Sequence, residues 1–293
     1  MKLVLKFGIV FVILGMIGAA TFLFLSGNDA DRLLEEKVLK YESDRFTKLY
    51  LSVEDEKIVL KPSLTNELVV TIIYEDYETL TIKELENELN IDVRAPFLTR
   101  FTRGIQVFNL VRMMNPKEVI IELPEAIEDV FLKTSNGKIS ITGVNLQQGS
   151  FVTSNGKIEI QESRITLLGA DTSNGDISLE GVMATKANLD TSNGAIELQT
   201  ITIDEIDAQT SNGRITGSKI TTNRLKVHSS NGSINLNVYG QFMDYKVKTK
   251  TSNGTVRIND AVYGSSTYNP NKTPYIEAIT SNGSIDLSFY GDE

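Results

Sequence analysis

"TSNGKISITGVNLQQGSFV" (Thr134–Val152) is followed at once by "TSNGKIEIQESRITLLGAD" (Thr153–Asp171), and the two stretches set the reading of the whole chain. Their opening quartet returns at Thr172, Thr191 and Thr210, as "SSNG" at Ser229, and as "TSNG" again at Thr251 and Thr280. The first six copies start 19 residues apart, and the last two follow gaps of 22 and 29. A fixed period of this size marks a repeat architecture and takes precedence over local propensity.

With the Thr of the quartet as position 1, position 6 is Ile139, Ile158, Ile177, Ile196 and Ile215 in the five 19-residue units. Positions 8, 11, 13, 16 and 18 are also apolar, apart from the small residues Gly149, Ser163, Gly217 and Thr222. The apolar columns come in pairs two apart, which sends both side chains of a pair to one face of a strand. Three such pairs per unit predict a three-sided parallel β-solenoid (a β-helix) with 19-residue coils, each coil covering the apolar face of the next. Asn136, Asn155, Asn174, Asn193, Asn212, Asn231, Asn253 and Asn282 are expected to stack as one amide ladder along a corner. Gly137, Gly156, Gly175, Gly194, Gly213, Gly232, Gly254 and Gly283 are expected there because the corner needs positive φ. The preceding Thr and Ser are expected to form hydroxyl ladders. The alternative is an antiparallel hairpin meander, since Asn-Gly is also a strong hairpin signal. It leaves positions 10–15 without a reason to alternate or to keep constant length.

At the N-terminus, Phe7–Leu25 is an uncharged run of 19 residues, long enough as a helix to cross a hydrocarbon layer of about 30 Å. Lys2 and Lys6 precede it and Asp29 and Asp31 follow, which orients the N-terminus to the cytoplasm. A cleaved signal peptide is the alternative, with small residues at Gly18–Ala20. The expected organisation is a cytoplasmic tail (1–6), a transmembrane helix (7–25), a stalk or linker (26–46), a less regular β region capping the solenoid (47–129) and the repeat solenoid (130–293). Within the stalk, Leu34, Val38 and Tyr41 also fit a short amphipathic helix. "TLTIKELENELNIDV" reads as two strands, and Glu54–Glu56 and Pro62–Asn66 as turns.

The reiterated "TSNG" or "SSNG" followed by x-I-x-I/L, as in "TSNGKIEI" and "TSNGAIEL", resembles the bacterial "putative adhesin" β-strand-repeat domains over about residues 45–293. "FTKLYLSVEDEKIVLKPSLTNELVVTI" is similar to the opening of those domains, and "ELPEAIEDVFLKTSNG" to the lead-in to their repeats. With an N-terminal anchor added, the chain looks like the LiaG-type membrane proteins found with cell-envelope stress-response genes in Gram-positive bacteria. The resemblance implies a cell-membrane protein, single-pass, with its C-terminal domain extracytoplasmic.

Chemistry is sparsely signalled. The chain has no Cys, a net charge of −9 and no basic stripe, which removes disulfides and thiolate metal sites and leaves nucleic-acid binding without electrostatic support. The single histidine, His228, falls at position 19 with Asp171, Asp190 and Gln209, a column along the rod rather than a converging metal site. Glu159 and Glu197 are outward carboxylates at position 7, where other units carry Ser140, Ser178 and Thr216, so no unit stands out as a catalytic dyad. No catalytic residue, metal ligand or cofactor is assigned. The one local candidate is the loop Gly264–Pro274, with Tyr263, Tyr268 and Tyr275 nearby as a possible binding surface, or else a cap over the last coil. The expected function is a non-enzymatic adhesion, scaffold or envelope-stress interaction module, with cell-wall glycan or envelope proteins as partners and possible end-to-end self-association. The alternative is a β-helix enzyme acting on polysaccharide.

The inward assignment of position 6 and the outward assignment of position 7 are separable by mutation. Ile177→Asp should unfold the domain, and Ser178→Asp should melt close to the wild type; equal melting temperatures for the two would refute the assignment.

Overall fold

The computed structural model describes residues 34–96 and 117–291. Apart from one short 3-10 turn at Phe242–Asp244, its regular structure is entirely β. Eight strands precede the first complete repeat: β1 (Leu34–Tyr41), β2 (Lys48–Ser52), β3 (Lys57–Pro62), β4 (Leu68–Glu75), β5 (Thr79–Glu84), β6 (Glu88–Arg94), β7 (Glu118–Leu123) and β8 (Asp129–Lys133). Each repeat then supplies a short strand and a long one. These are β9 (Ile139–Thr142) and β10 (Asn145–Thr153), β11 (Ile158–Gln161) and β12 (Arg164–Thr172), and β13 (Ile177–Glu180) and β14 (Met183–Thr191). In β15 (Ile196–Thr210) the two merge, and β16 (Ile215–Thr221), β17 (Arg224–Ser229) and β18 (Ile234–Tyr239) complete the regular part. The chain closes with β19 (Lys246–Lys250), β20 (Val256–Ile258), β21 (Ala261–Tyr263), β22 (Thr267–Tyr268), β23 (Tyr275–Thr280) and β24 (Ile285–Tyr290).

Equivalent strands of successive repeats pair in parallel and in register. Ile139, Ile158, Ile177, Ile196 and Ile215 lie side by side along the short-strand ladder. Phe151, Ala170, Leu189, Ala208 and Val227 do the same along the long-strand ladder. The hairpin meander is therefore not what these residues form. In the first three units positions 13, 16 and 18 share the long strand, position 11 falls just before it, and its pairing skips Gln147, Thr166 and Thr185. The core is a single run of side chains between the ladders, and its columns interlock by size. Gly149 stands beside Phe151, Leu168 beside Ala170 and Ala187 beside Leu189, so that one column widens where the other narrows. A Cβ on Gly149 would sit 2.7 Å from the Phe151 ring. The polar exceptions inside are satisfied: Ser163 donates to the Gln161 carbonyl at 2.7 Å, and Thr222 bonds the carbonyls of Asp204 and Arg224.

The recurrent quartet is a corner in which each letter has its own task. The asparagine ladder forms as expected, each Nδ2 donating to the Oδ1 of the rung below at 2.6–2.7 Å from Asn155 up to Asn231. The threonines do not form a hydroxyl ladder. From Thr134 to Thr210 they are buried, and each Oγ1 accepts the N–H of its own glycine, as Thr172 does from Gly175 at 3.2 Å. The same hydroxyl donates to the glycine carbonyl of the preceding rung, Thr172 to Gly156 at 3.2 Å and Thr191 to Gly175 at 3.0 Å. Nor do the glycines take positive φ, which occurs instead at position 10, in Gly143, Glu162, Gly181, Thr200 and Lys219. They are glycines for want of space. A Cβ on Gly156, Gly175 or Gly194 would lie 1.8 Å from the carbonyl oxygen of the glycine one rung below.

The two ends break sequential order in the same way. At the start, β2 lies between β6 and β8, and β3 between β7 and β9, so the first coil is inserted between the next two. At the finish, β23 lies between β17 and β19, and β24 between β18 and β20, so the eighth quartet precedes the seventh in space. The ladder follows suit: Asn282 donates to Asn231, and Asn253 to Asn282, both at 2.7 Å. At its other end Asn136 donates to Asp55 Oδ1 at 2.6 Å, and both Ser135 N and Asn136 N donate to the Glu54 carbonyl. "VEDE", Val53–Glu56, is thus a further corner that shares no letter with TSNG. Antiparallel strands finish the stack at both ends, β4 on β7 and β5 on β6 at one, β21 on β20 and β22 on β19 at the other.

Part of the expected stalk belongs to this cap. Leu34–Tyr41 is neither helix nor linker but strand β1, antiparallel to β4, with Leu39 and then Phe46 buried. The helical spacing of Leu34 and Val38 misled because both are exposed. β5 and β6 form the two strands expected of "TLTIKELENELNIDV". The apolar run 7–25 lies outside the described residues, among which no helix is long and apolar enough to cross a membrane.

Gly175→Ala should cost the domain at least as much as severe core overpacking, about 1–3 kcal/mol. Gly264→Ala, with nothing within 4 Å of the added carbon, should leave the melting temperature unchanged. Equal melting curves would show that the rungs are not packed this closely.

Candidate functional site

The outward side chains of the long-strand ladder also form columns, and these carry most of the chemistry. One runs Asn90, Tyr50, Phe131, Ser150, Gly169, Asn188, Asp207, Lys226, Glu277 and Lys248 from end to end. Its neighbour holds Asp92, Ser52, Lys133, Val152, Asp171, Asp190, Gln209 and His228. The face is therefore aromatic toward the β5 end, acidic in the middle and mixed cationic beyond.

At the aromatic end the Tyr50 and Phe131 rings stack with centroids 4.4 Å apart and planes 7° from parallel. Because the two residues are strand neighbours, the stack runs along the rod. Ser150 and Gly169, next in the column, are too small to cover the far face of Phe131. A groove of about 680 Å³ surrounds this pair, bounded by Lys83, Asp92, Lys133 and Ser150 among others. Thr81 and Lys83 reach it from β5, which pairs with Asp92 and Asn90 of β6. Arg94 and Asp92 neutralise each other at 2.6 Å. Lys83 and Lys133 are exposed and make no ion pair among the described residues. These residues were not singled out from the sequence; the signal was an aromatic at the outward position of "KLYLS" and of "DVFLK".

The expected column of Asp171, Asp190, Gln209 and His228 exists, with one residue per rung. Burial, then the charges of Asp171 and Asp207, raises the Asp190 carboxyl. His228 turns to the neighbouring column, its Nε2 lying 2.8 Å from Glu277 Oε1. Glu277 also receives Lys248 Nζ at 2.9 Å and the Tyr275 hydroxyl. Burial opposes the Glu277 charge, but hydrogen bonds from Tyr275, Lys248 and His228 outweigh it and hold the carboxyl down to about 2. Burial and the bond to Glu277 push the Tyr275 phenol up to about 12. The four side chains come from β17, β19 and β23, so the cluster clamps the inserted strand to both neighbours.

The tyrosines near the Gly264–Pro274 loop do not converge. Tyr275 belongs to the Glu277 cluster, whereas Tyr263 and Tyr268 pack on each other and on Phe242, with centroids 5.2–6.0 Å apart. The Tyr268 hydroxyl donates to the Gly264 carbonyl at 2.6 Å, and Asn269 Nδ2 bonds the carbonyls of Phe242 and Tyr245. This is the geometry of a cap with its own small core. Of the outward carboxylates, Glu159 is engaged by Lys138 at 2.6 Å and Lys157 at 3.0 Å, and the Lys138 hydrogen bond leads in lowering its pKa. At the opposite end a buried triad went unforeseen, Lys117 Nζ lying 2.8 Å from Glu56 and 2.6 Å from Glu78. Backbone N–H groups of Glu54 and Asp55 satisfy the other Glu56 oxygen, and that of Glu75 the other Glu78 oxygen.

A family model described as Toastrack DUF4097 matches residues 46–288. Among solved structures, a protein of Bacteroides fragilis named a "putative adhesin" is 16% identical, with a TM-score of 0.50 over 87% of this chain and 97% of its own. A "putative lipid binding protein" of Parabacteroides distasonis is 14% identical, with a TM-score of 0.51 over 86% and 96%. A "putative adhesin" of Parabacteroides merdae is 12% identical, with a TM-score of 0.50 over 86% and 96%. At these identities the likeness shows a shared fold. No curated protein matches the sequence.

The Glu277 cluster makes a pH prediction. A carboxyl held at about 2 against an ordinary 4.5 contributes stability that is fully present above 4.5 and is lost as the pH falls toward 2. Wild-type melting temperature should fall more steeply across that window than that of Glu277→Gln. Parallel curves would remove the cluster from the clamp.

Proposed function

The chain belongs to the Toastrack family DUF4097, and from that premise we propose that it is a non-enzymatic adhesion or scaffold module of a bacterial cell envelope. In this reading residues 7–25 anchor it in the cell membrane with the N-terminus cytoplasmic, and the β-solenoid, three-sided in outline, stands outside as a rigid rod. A LiaG-like place in the envelope-stress response of a Gram-positive bacterium is the physiological setting the repeat signature and anchor suggest. The observation that carries the reading is the in-register outward face, on which polar and aromatic columns recur at about the strand spacing of 4.8 Å. Such a surface suits a long partner lying along the rod, whether cell-wall glycan or envelope protein. On the same reading the β4 end, where β1 pairs, would face the membrane and the Phe242 cap would be distal. End-to-end self-association would use the outer edges, and these are the charged strands "LEEKVLKY" and "TLTIKE" at one end and strands of two or three residues at the other. Edges of that kind oppose open-ended pairing, so the rods act singly.

Fractionation and surface digestion test the placement. The full chain should sediment with membranes through a high-salt wash, and a protease added to intact protoplasts should remove its repeats. Recovery in the cytosol, or full protection, would end the envelope reading. Purified chain should also bind isolated cell envelopes without consuming any glycan. Turnover abolished by Glu197→Gln would establish an enzyme instead.

A further inference from the structure

We infer that the groove around Tyr50 and Phe131 binds an acidic oligosaccharide, with one sugar ring stacked on the free face of Phe131 and carboxylates held by Lys133 and Lys83. It rests on the adhesion reading and gives that reading a ligand class and a place. Three observations converge on it. The first is the uncovered ring. The Tyr50–Phe131 stack leaves the far face of Phe131 turned to Ser150, with Gly169 beyond. Those two positions leave a slot two strand spacings deep, about 10 Å, enough for one further ring parallel to Phe131. The apolar face of a pyranose suits an aromatic face as another ring would, and its hydroxyls keep their polar partners at the edge.

The second is the character of those partners. Ser52, Thr81, Asn90 and Ser150 line the same groove, and each both donates and accepts, as a set of sugar hydroxyls requires. The third is charge. In a chain of net −9, Lys83 and Lys133 are exposed ammonium groups with no carboxylate partner among the described residues, Lys83 two strands beyond Tyr50 and Lys133 two residues along the strand of Phe131. Asp92 in the groove is already neutralised by Arg94. Asp171, the next acidic residue, lies one rung beyond Val152 and so turns an acidic substituent back toward Lys133. From Lys83 on β5 to Ser150 on β10 there are four strand spacings, about 19 Å. One monosaccharide cannot span that length. An oligomer with an acid group on successive sugars can.

Titration calorimetry on the full chain in mild detergent, with a galacturonic acid hexasaccharide as probe, tests this. The expected result is binding that weakens with salt, at least about tenfold tighter than to a neutral gluco-hexasaccharide, a ratio equivalent to about 1.4 kcal/mol. A ringless polyanion, poly(glycerol phosphate), should also bind at least tenfold more weakly. Ser150→Phe, which fills the slot by extending the stack, should keep or raise the melting temperature and abolish binding. Lys83→Gln combined with Lys133→Gln should weaken it and remove most of the salt dependence. Equal binding of the neutral sugar would overturn the role of the lysines, and equal binding of the ringless polymer that of the ring. Undiminished binding by well-folded Ser150→Phe would overturn the site. If that variant also binds whole envelopes normally, the groove is excluded while the adhesion reading stands.

Discussion

At the quartet corner, from Gly156 to Gly232, each glycine α-carbon rests against the carbonyl of the glycine beneath it, with no room for a methyl group between them. The other regularities follow from that contact. Backbones so close must stay in register, because a slip of one residue would drive an asparagine or lysine side chain into the same gap. Register in turn places the threonine hydroxyl between the amide of its own glycine and the carbonyl of the previous one, so buried polar atoms at the bend are satisfied rung after rung. Once the bend is pinned, the isoleucines at position 6 superpose, and the core behind them is a stack of like residues.

The amide ladder outside that bend has a direction. Each asparagine donates toward the β5 end and accepts from the opposite side, so the side-chain dipoles add along the axis as peptide dipoles do in a helix. The series needs an acceptor at its donor end, and the side-chain carboxylate of Asp55, which only accepts, stands there. Immediately beside it Glu56 occupies the glycine place, where the repeat stops, and its carboxylate caps the backbone of Glu54 and Asp55.

Identical letters at constant spacing made the columns and the asparagine ladder readable, because stacking like on like is what a fixed period means. The reason for the glycines was not readable. Lack of space and positive φ select the same residue, and the true left-handed corner uses Glu162, Thr200 and Lys219, which carry no compositional mark. The Val53–Glu56 corner was hidden because it performs the task of the quartet with other side chains. The Tyr50–Phe131 pair joins strands that are distant in the chain and adjacent only because the first coil is inserted out of turn. A period says that units stack. It does not say in what order the terminal ones do so.

That interleaving has a bearing on how such a chain can evolve. Neither terminal coil stacks on its sequence neighbour alone, so a unit duplicated at an extremity would meet a partner already engaged. Between Thr134 and Ser229, by contrast, each unit stacks on its sequence neighbour, and a duplicated block of 19 residues there would lengthen the rod by about 4.8 Å and leave both termini untouched. This rod can therefore grow in the middle and not at the tips, much as a ladder can be extended by rungs but not by its feet.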